Sequence, residues 1–242
     1  STAGSTLNLV NTADRGREIQ QSYYSGNNLT RAGQIANYSP WPWNPVQAGS
    51  YTGTASLVDS FSVSNGILYS WTRPKLWDVP NETGEAVIKQ WTQFEPGMAQ
   101  VIRVTNQLAS LRPAGDAWGG PVIHHQELPA CYFIRALNRA KIYNGSGSWS
   151  DYAYPLLSSS GWGRPNPPKK AMAFFLSNDF GIAIYSPTSN TAWNCGATGT
   201  SATTSSTAGD TMHVAPLATV ALDRQSQYTY YYWIVLGNQA TI

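Results

Sequence analysis

The sequence predicts an all-β chain, a single large antiparallel β-sandwich of supersandwich or jelly-roll-like form with long loops, spanning residues 1–242. Three observations carry this. No long segment keeps a 3.6-residue apolar period free of Gly and Pro; short alternating runs recur instead, divided by turn residues. Ten Trp and fourteen Tyr against few Lys and Glu favour strands over helices. A chain of 242 residues, 42% hydrophobic, is long enough to bury a large core.

Taken in order, Leu57 to Pro74 reads as two strands around Asn65-Gly66, the strongest short hairpin signal. A strand over AVIKQWTQFE stops at Pro96-Gly97, and AQVIRVTNQLASL alternates beyond it. ACYFIRALNRAKIYNG folds back near Leu137-Asn138, and KAMAFFLSNDFGIAIYSP turns at Asn178-Asp179. The run YTYYYWIVLG is bulky enough to cross the middle of a sheet, covered on both faces. Irregular stretches are expected at 27–51, 114–120, 144–168 and 186–209. The last holds a Ser/Thr/Gly tract that need not pack.

A net charge of +2 with no Lys/Arg cluster argues against a nucleic-acid partner. No apolar run approaches the ~20 residues of a membrane span. The opening STAGSTLNLVNT reads as a processed mature chain, and Asn28, Asn37, Asn81 and Asn144 each head an Asn-X-Ser/Thr triplet. A secreted, monomeric glycoprotein is the expectation. Cys131 and Cys195 are either one disulfide or two buried thiols. Three histidines and two distant cysteines make no zinc signature, and neither a GxSxG elbow, a Walker loop nor a GxGxxG fingerprint occurs. No metal or cofactor is expected.

Among the thirteen carboxylates, three sit in rich surroundings. In PVIHHQELPACYF, alternation puts His125 and Glu127 on one strand face and His124 and Gln126 on the other. Polar groups set into an apolar strand need partners, so one face should meet a cleft. Glu127 is then a candidate general acid or base, with His125 to tune it. In ADRGREIQQSYYSG, Glu18, Gln20, Ser22 and Tyr24 share a face that resembles a sugar subsite, while Arg17, Gln21 and Tyr23 share the other. Asp14 precedes Gly16 in a turn and either caps backbone amides or faces the cleft. In YSPWPWNPVQAGSY, Trp41 and Trp43 form an aromatic platform beside Asn44 and Gln47.

The runs NTADRGREIQQSYY, WNPVQAG, QELPACYF and APLATVAL…YYWIVLG resemble secreted microbial β-sandwich proteins akin to the galactose-mutarotase-like supersandwich and its polysaccharide-degrading relatives. The resemblance implies a carbohydrate-linked role at Asp14, Arg17, Gln20, Gln21, Tyr23, Tyr24, Trp43, Asn44, Gln47, Gln126 and Glu127.

The preferred expectation is a glycoside hydrolase acting on a polysaccharide, with Glu127 as acid and Asp14 or Glu18 as nucleophile or base. The first alternative is a lyase on a uronic acid polymer, with Arg15 or Arg17 neutralising the carboxylate and Tyr23, Tyr24 or His125 abstracting the C5 proton. The second is a carbohydrate-binding protein or lectin without catalysis.

Overall fold

In a computed structural model that describes residues 6–242, two antiparallel sheets pack face to face. The larger has nine strands in the spatial order Ser148–Asp151, Arg139–Gly145, Ala171–Phe175, Phe180–Tyr185, Gln227–Asn238, Met98–Ser110, Ala86–Glu95, Ile67–Arg73 and Leu57–Ser64. The smaller runs Asn194–Thr198, Thr211–Ala215, Ile123–Ile134, Ile19–Ser22, Pro45–Val46 and Lys75–Leu76, with Leu217–Ala221 alongside the first half of Ile123–Ile134. A two-stranded ribbon, Ser25–Leu29 with Trp41–Trp43, stands beside it.

The expected hairpins form because their turns hold residues that tolerate the left-handed region: Asn65 and Gly66 at φ 51° and 75°, and Asp179 at 69°. The aromatic strand Gln227–Asn238 lies in the middle of the larger sheet, but only one of its faces is fully covered. Tyr230 and Tyr232 are enclosed between the sheets, whereas Tyr231 remains 38% exposed on the other side. Asn194–Thr198 is a strand within a stretch expected to be irregular; its CGA core is buried against Thr211–Ala215.

Apolar side chains from both sheets fill the space between them, Phe133, Val214, Phe174 and Ile184 at one end and Leu128, Ala218, Ile88 and Tyr232 at the other. The cysteines are two buried free thiols. Cys131 and Cys195 both pair with Val214 from opposite sides, so their Cα atoms are two strand spacings apart, about 9.5 Å. A disulfide requires less than about 7 Å.

One irregularity shapes everything on the outer face of the smaller sheet. Ser22 pairs with Glu127 but Gln20 pairs with Ala130, so the longer strand carries one extra residue there. Pro129 lacks an N–H and sits where a bulge removes the need for one. The bulge lets Glu127, Ala130 and Tyr132 all face outward, although an odd spacing of three or five would otherwise split them.

Gln126, expected at a ligand, instead ties this region together. It is fully buried; its Oε1 accepts from the Tyr24 N–H at 2.8 Å and its Nε2 donates to the carbonyls of Tyr24 (2.8 Å) and Val220 (3.1 Å). Gln126→Ala would leave those backbone groups unpaired, and urea unfolding should register a loss of about 3 kcal/mol.

Candidate active site

The turn at Asp14–Arg17 begins the cleft. Asp14 Oδ1 accepts from the Gly16 N–H at 2.8 Å, and Oδ2 meets Arg17 Nε at 3.0 Å. Both expected roles are therefore present at once, a capped turn and a carboxylate on the cleft wall. Gly16 is required by close approach: a Cβ there would lie 2.5 Å from Trp77 Nε1. Trp77 in turn packs against Tyr38 at a tilt, with centroids 4.4 Å apart, and touches Tyr51 and Trp41 at 5.4 and 5.7 Å. Trp41 continues the wall to Tyr24, 6.1 Å away edge-on.

The hollow so enclosed measures about 230 Å³, and a second of about 360 Å³ adjoins it. Tyr24, Trp41, Glu127 and Trp162 line both, so the cleft extends on either side of Glu127.

Glu127 is the centre of a polar cluster. Oε2 accepts from the Tyr24 hydroxyl at 3.0 Å, and Oε1 faces His213 Nε2 at 3.6 Å. Burial pushes the carboxyl upward, but the facing His213, the Tyr24 hydroxyl and Asn194 outweigh it and hold the pKa below the ordinary 4.5. Glu127 is thus ionised at neutral pH. Burial, reinforced by the Glu127 charge, drives the Tyr24 and Tyr132 phenols far above their usual range, so both keep their protons. His213 is enclosed between the rings of Tyr132 and Trp162, each centroid 4.5 Å away, and among the described residues neither ring nitrogen has a hydrogen-bond partner.

Several expected ligand contacts turn out to build the wall rather than to face the cleft. Gln21 and Tyr23 point between the sheets, where Gln21 bonds Gln90 (2.9 Å) and Tyr232, and the Tyr23 hydroxyl donates to Asn106. Trp43 is fully buried, donating to the Gly84 carbonyl at 2.8 Å. Gln20 reaches the cleft lining, but its Oε1 accepts from the Ala48 N–H at 2.8 Å and its Nε2 donates to the Arg15 and Arg17 carbonyls. Asn44 is likewise spent on Ser22 Oγ and the Tyr23 carbonyl. Gln47 lies outside the lining and meets Gln21 through its backbone N–H.

Glu18 does not line the cleft either. Its φ of 74° breaks the alternation that would have aligned it with Gln20, while its carbonyl accepts from the Tyr132 N–H. His125 sits exposed at the rim of the second hollow, held by Thr219 Oγ1 at 3.1 Å; burial first, then the charges of Arg164 and His124, lower its pKa. The imidazole beside Glu127 is His213, which sequence reading missed.

No family model and no curated protein matches the sequence. Solved structures similar to the chain include the heparan sulfate lyase HepC from Pedobacter heparinus, with 6% identity and a TM-score of 0.41 over 76% of this chain and 22% of that one. A candidate aldose 1-epimerase from Escherichia coli K12 gives 9% identity and a TM-score of 0.45, covering 90% and 84%. A galactose-mutarotase-related enzyme from Lactobacillus acidophilus gives 6% and 0.42, covering 77% and 72%. The chain spans about a fifth of the lyase's length, 22%.

Proposed function

We propose that the chain is a carbohydrate-active enzyme that cleaves a uronic-acid-containing polysaccharide by elimination, with Glu127 as the base. The observation that carries this reading is the placing of Glu127 midway along an aromatic cleft with its Oε2 3.0 Å from the Tyr24 hydroxyl, a base and a proton donor side by side. The lowered pKa of Glu127 agrees with it. Hydrolysis by a carboxylate pair needs a protonated carboxyl to serve the leaving group. Among the described residues the cleft lining holds two carboxylates, Asp14 and Glu127; Gly16 and Arg17 engage the first, and the pKa of the second is lowered.

In the proposed step Glu127 removes the C5 proton of a uronate. The C5–H electrons form the C4=C5 double bond as the C4–O4 bond breaks. The Tyr24 hydroxyl protonates the departing oxygen, and Glu127 returns its proton to Tyr24 across their 3.0 Å hydrogen bond. Arg17, on the same wall, opposes the charge that builds on the uronate carboxylate. Trp41, Tyr38 and Trp77 offer ring faces to the sugars on one side.

The test is a panel of neutral and uronic polysaccharides, followed by reducing ends and by the ultraviolet absorbance of the unsaturated product. Both signals together mean elimination. New reducing ends without absorbance mean hydrolysis, and would replace the mechanism while leaving the substrate class intact. Trp41→Ala should raise KM about 3- to 10-fold with kcat little changed, since it removes a stacking face and no proton carrier. The acid limb of kcat/KM should fall below pH 4.5, because Glu127 acts in its ionised form and its pKa is lowered.

A further inference from the structure

The outer face of the larger sheet, on the side of the molecule opposite the cleft, is unusually aromatic. The alternate residues Tyr230, Tyr232, Leu108 and Ile88 fill the core, so their neighbours in sequence point outward. Cross-strand register sets them in rows: Tyr185 beside Trp233 beside Arg103, then Tyr231, Thr105, Trp91 and Tyr69, then Gln107, Lys89 and Trp71. Five strands carry these rows, a breadth of about 19 Å.

The rings and cations are organised rather than scattered. The Arg103 guanidinium lies 5.8 Å from both the Tyr231 and Trp233 rings, and Lys89 Nζ lies 5.8 Å from Trp71. Among the described residues neither cation has an ion-pair partner, and Arg103 Nε is enclosed without a hydrogen bond. Glu95, the nearby carboxylate, is turned into a 2.7 Å bond with Trp233 Nε1. Trp71, Tyr185 and Tyr231 stay 38–39% exposed. A hollow of about 160 Å³ opens beside Trp71, lined also by Lys89, Gln107 and Gln227.

We propose that this face is a second, non-catalytic glycan-binding surface that holds an acidic polysaccharide chain. The rings supply stacking faces for pyranose units, and the free cations and the amides of Gln107 and Gln227 meet carboxylates and hydroxyls. Tyr, Trp and Arg are common in protein interfaces as well. Here the cations have no ion-pair partner among the described residues and lie beside ring faces, which suits an anionic, amphipathic chain. The surface acts on whatever the cleft does to its substrate by holding polymer near the enzyme, so it does not depend on the reaction assigned there.

The experiment is affinity electrophoresis of the Glu127→Gln protein, which leaves polymer uncut, through gels containing alginate, polygalacturonate or hydroxyethylcellulose. Added Trp71→Ala, Tyr185→Ala and Tyr231→Ala should weaken retardation by an acidic polymer at least fivefold, while added Trp41→Ala in the cleft leaves most of it. Lys89→Gln with Arg103→Gln should flatten its dependence on salt. Circular dichroism controls for folding. Retardation unmoved by the sheet-face variants, no retardation by either acidic polymer, or equal retardation by hydroxyethylcellulose would overturn the proposal. So would a change in sedimenting mass caused by the same substitutions, which would make the face a protein interface.

Discussion

Glu127→Gln should lower turnover about 10³-fold while leaving polysaccharide binding largely intact. The amide keeps the volume of the carboxylate and can still accept from the Tyr24 hydroxyl, so the cleft keeps its shape. What it loses is the group that takes a proton from the sugar and the negative charge facing His213. Glu127→Ala is a poorer test, since it would leave Tyr24 and His213 facing an empty buried space. Steady-state kinetics with a binding isotherm separate the two quantities. Undiminished turnover in Glu127→Gln would remove this residue from the mechanism.

Arg17→Ala should cost about 10²–10³-fold in kcat on a uronic polymer, the range for removing one preorganised donor from a developing anion. The effect should be confined to acidic substrates: a methyl-esterified polymer carries less charge for Arg17 to oppose. Arg17 is aimed by Asp14 at 3.0 Å and by the Gly209 carbonyl at 2.8 Å. Asp14→Asn should therefore act through Arg17, lowering kcat by a smaller factor in the same direction. An equal loss on acidic and esterified polymers would assign Arg17 to the architecture of the turn instead.

The strands were largely legible because their signals are local. Asn65-Gly66, Pro96-Gly97 and Asn178-Asp179 fix the chain reversals through backbone preferences that need no tertiary context. Asp14, Tyr24 and Glu127, singled out from two polar stretches far apart in sequence, line one cleft because those stretches run as neighbouring strands of one sheet, with Ser22 opposite Glu127. Their neighbours were misread for a single reason. Gln21, Tyr23 and Gln126 are polar residues satisfied by partners 69 to 211 positions away, and polarity alone does not tell a ligand contact from a buried clamp.

His213 was invisible from the opposite cause. Its strand, TMHVA, is buried throughout, and the residue looks like a core histidine until Tyr132, Trp162 and Glu127 arrive from distant segments. The bulge before Ala130 escaped as well. Pro129 inside an otherwise regular strand was the one local sign of it, and without the bulge Glu127 and Tyr132 would lie on opposite faces.

The stability of the protein should carry the same signature as its activity. Glu127 has a folded pKa below its unfolded value, so its contribution is present above pH 4.5 and is lost as pH falls through the lowered value. In Glu127→Gln that part of the acid destabilisation should vanish, as thermal melts between pH 3 and 7 would record.

The most direct measurement of the central claim is the ionisation of Glu127 itself. Carboxyl-carbon NMR of Glu-labelled protein, assigned by the resonance missing from Glu127→Gln, should show a titration below pH 4.5 and a deprotonated group at neutral pH. A titration above about pH 6, in the range of a tuned general acid, would contradict the account and return the cleft to hydrolysis.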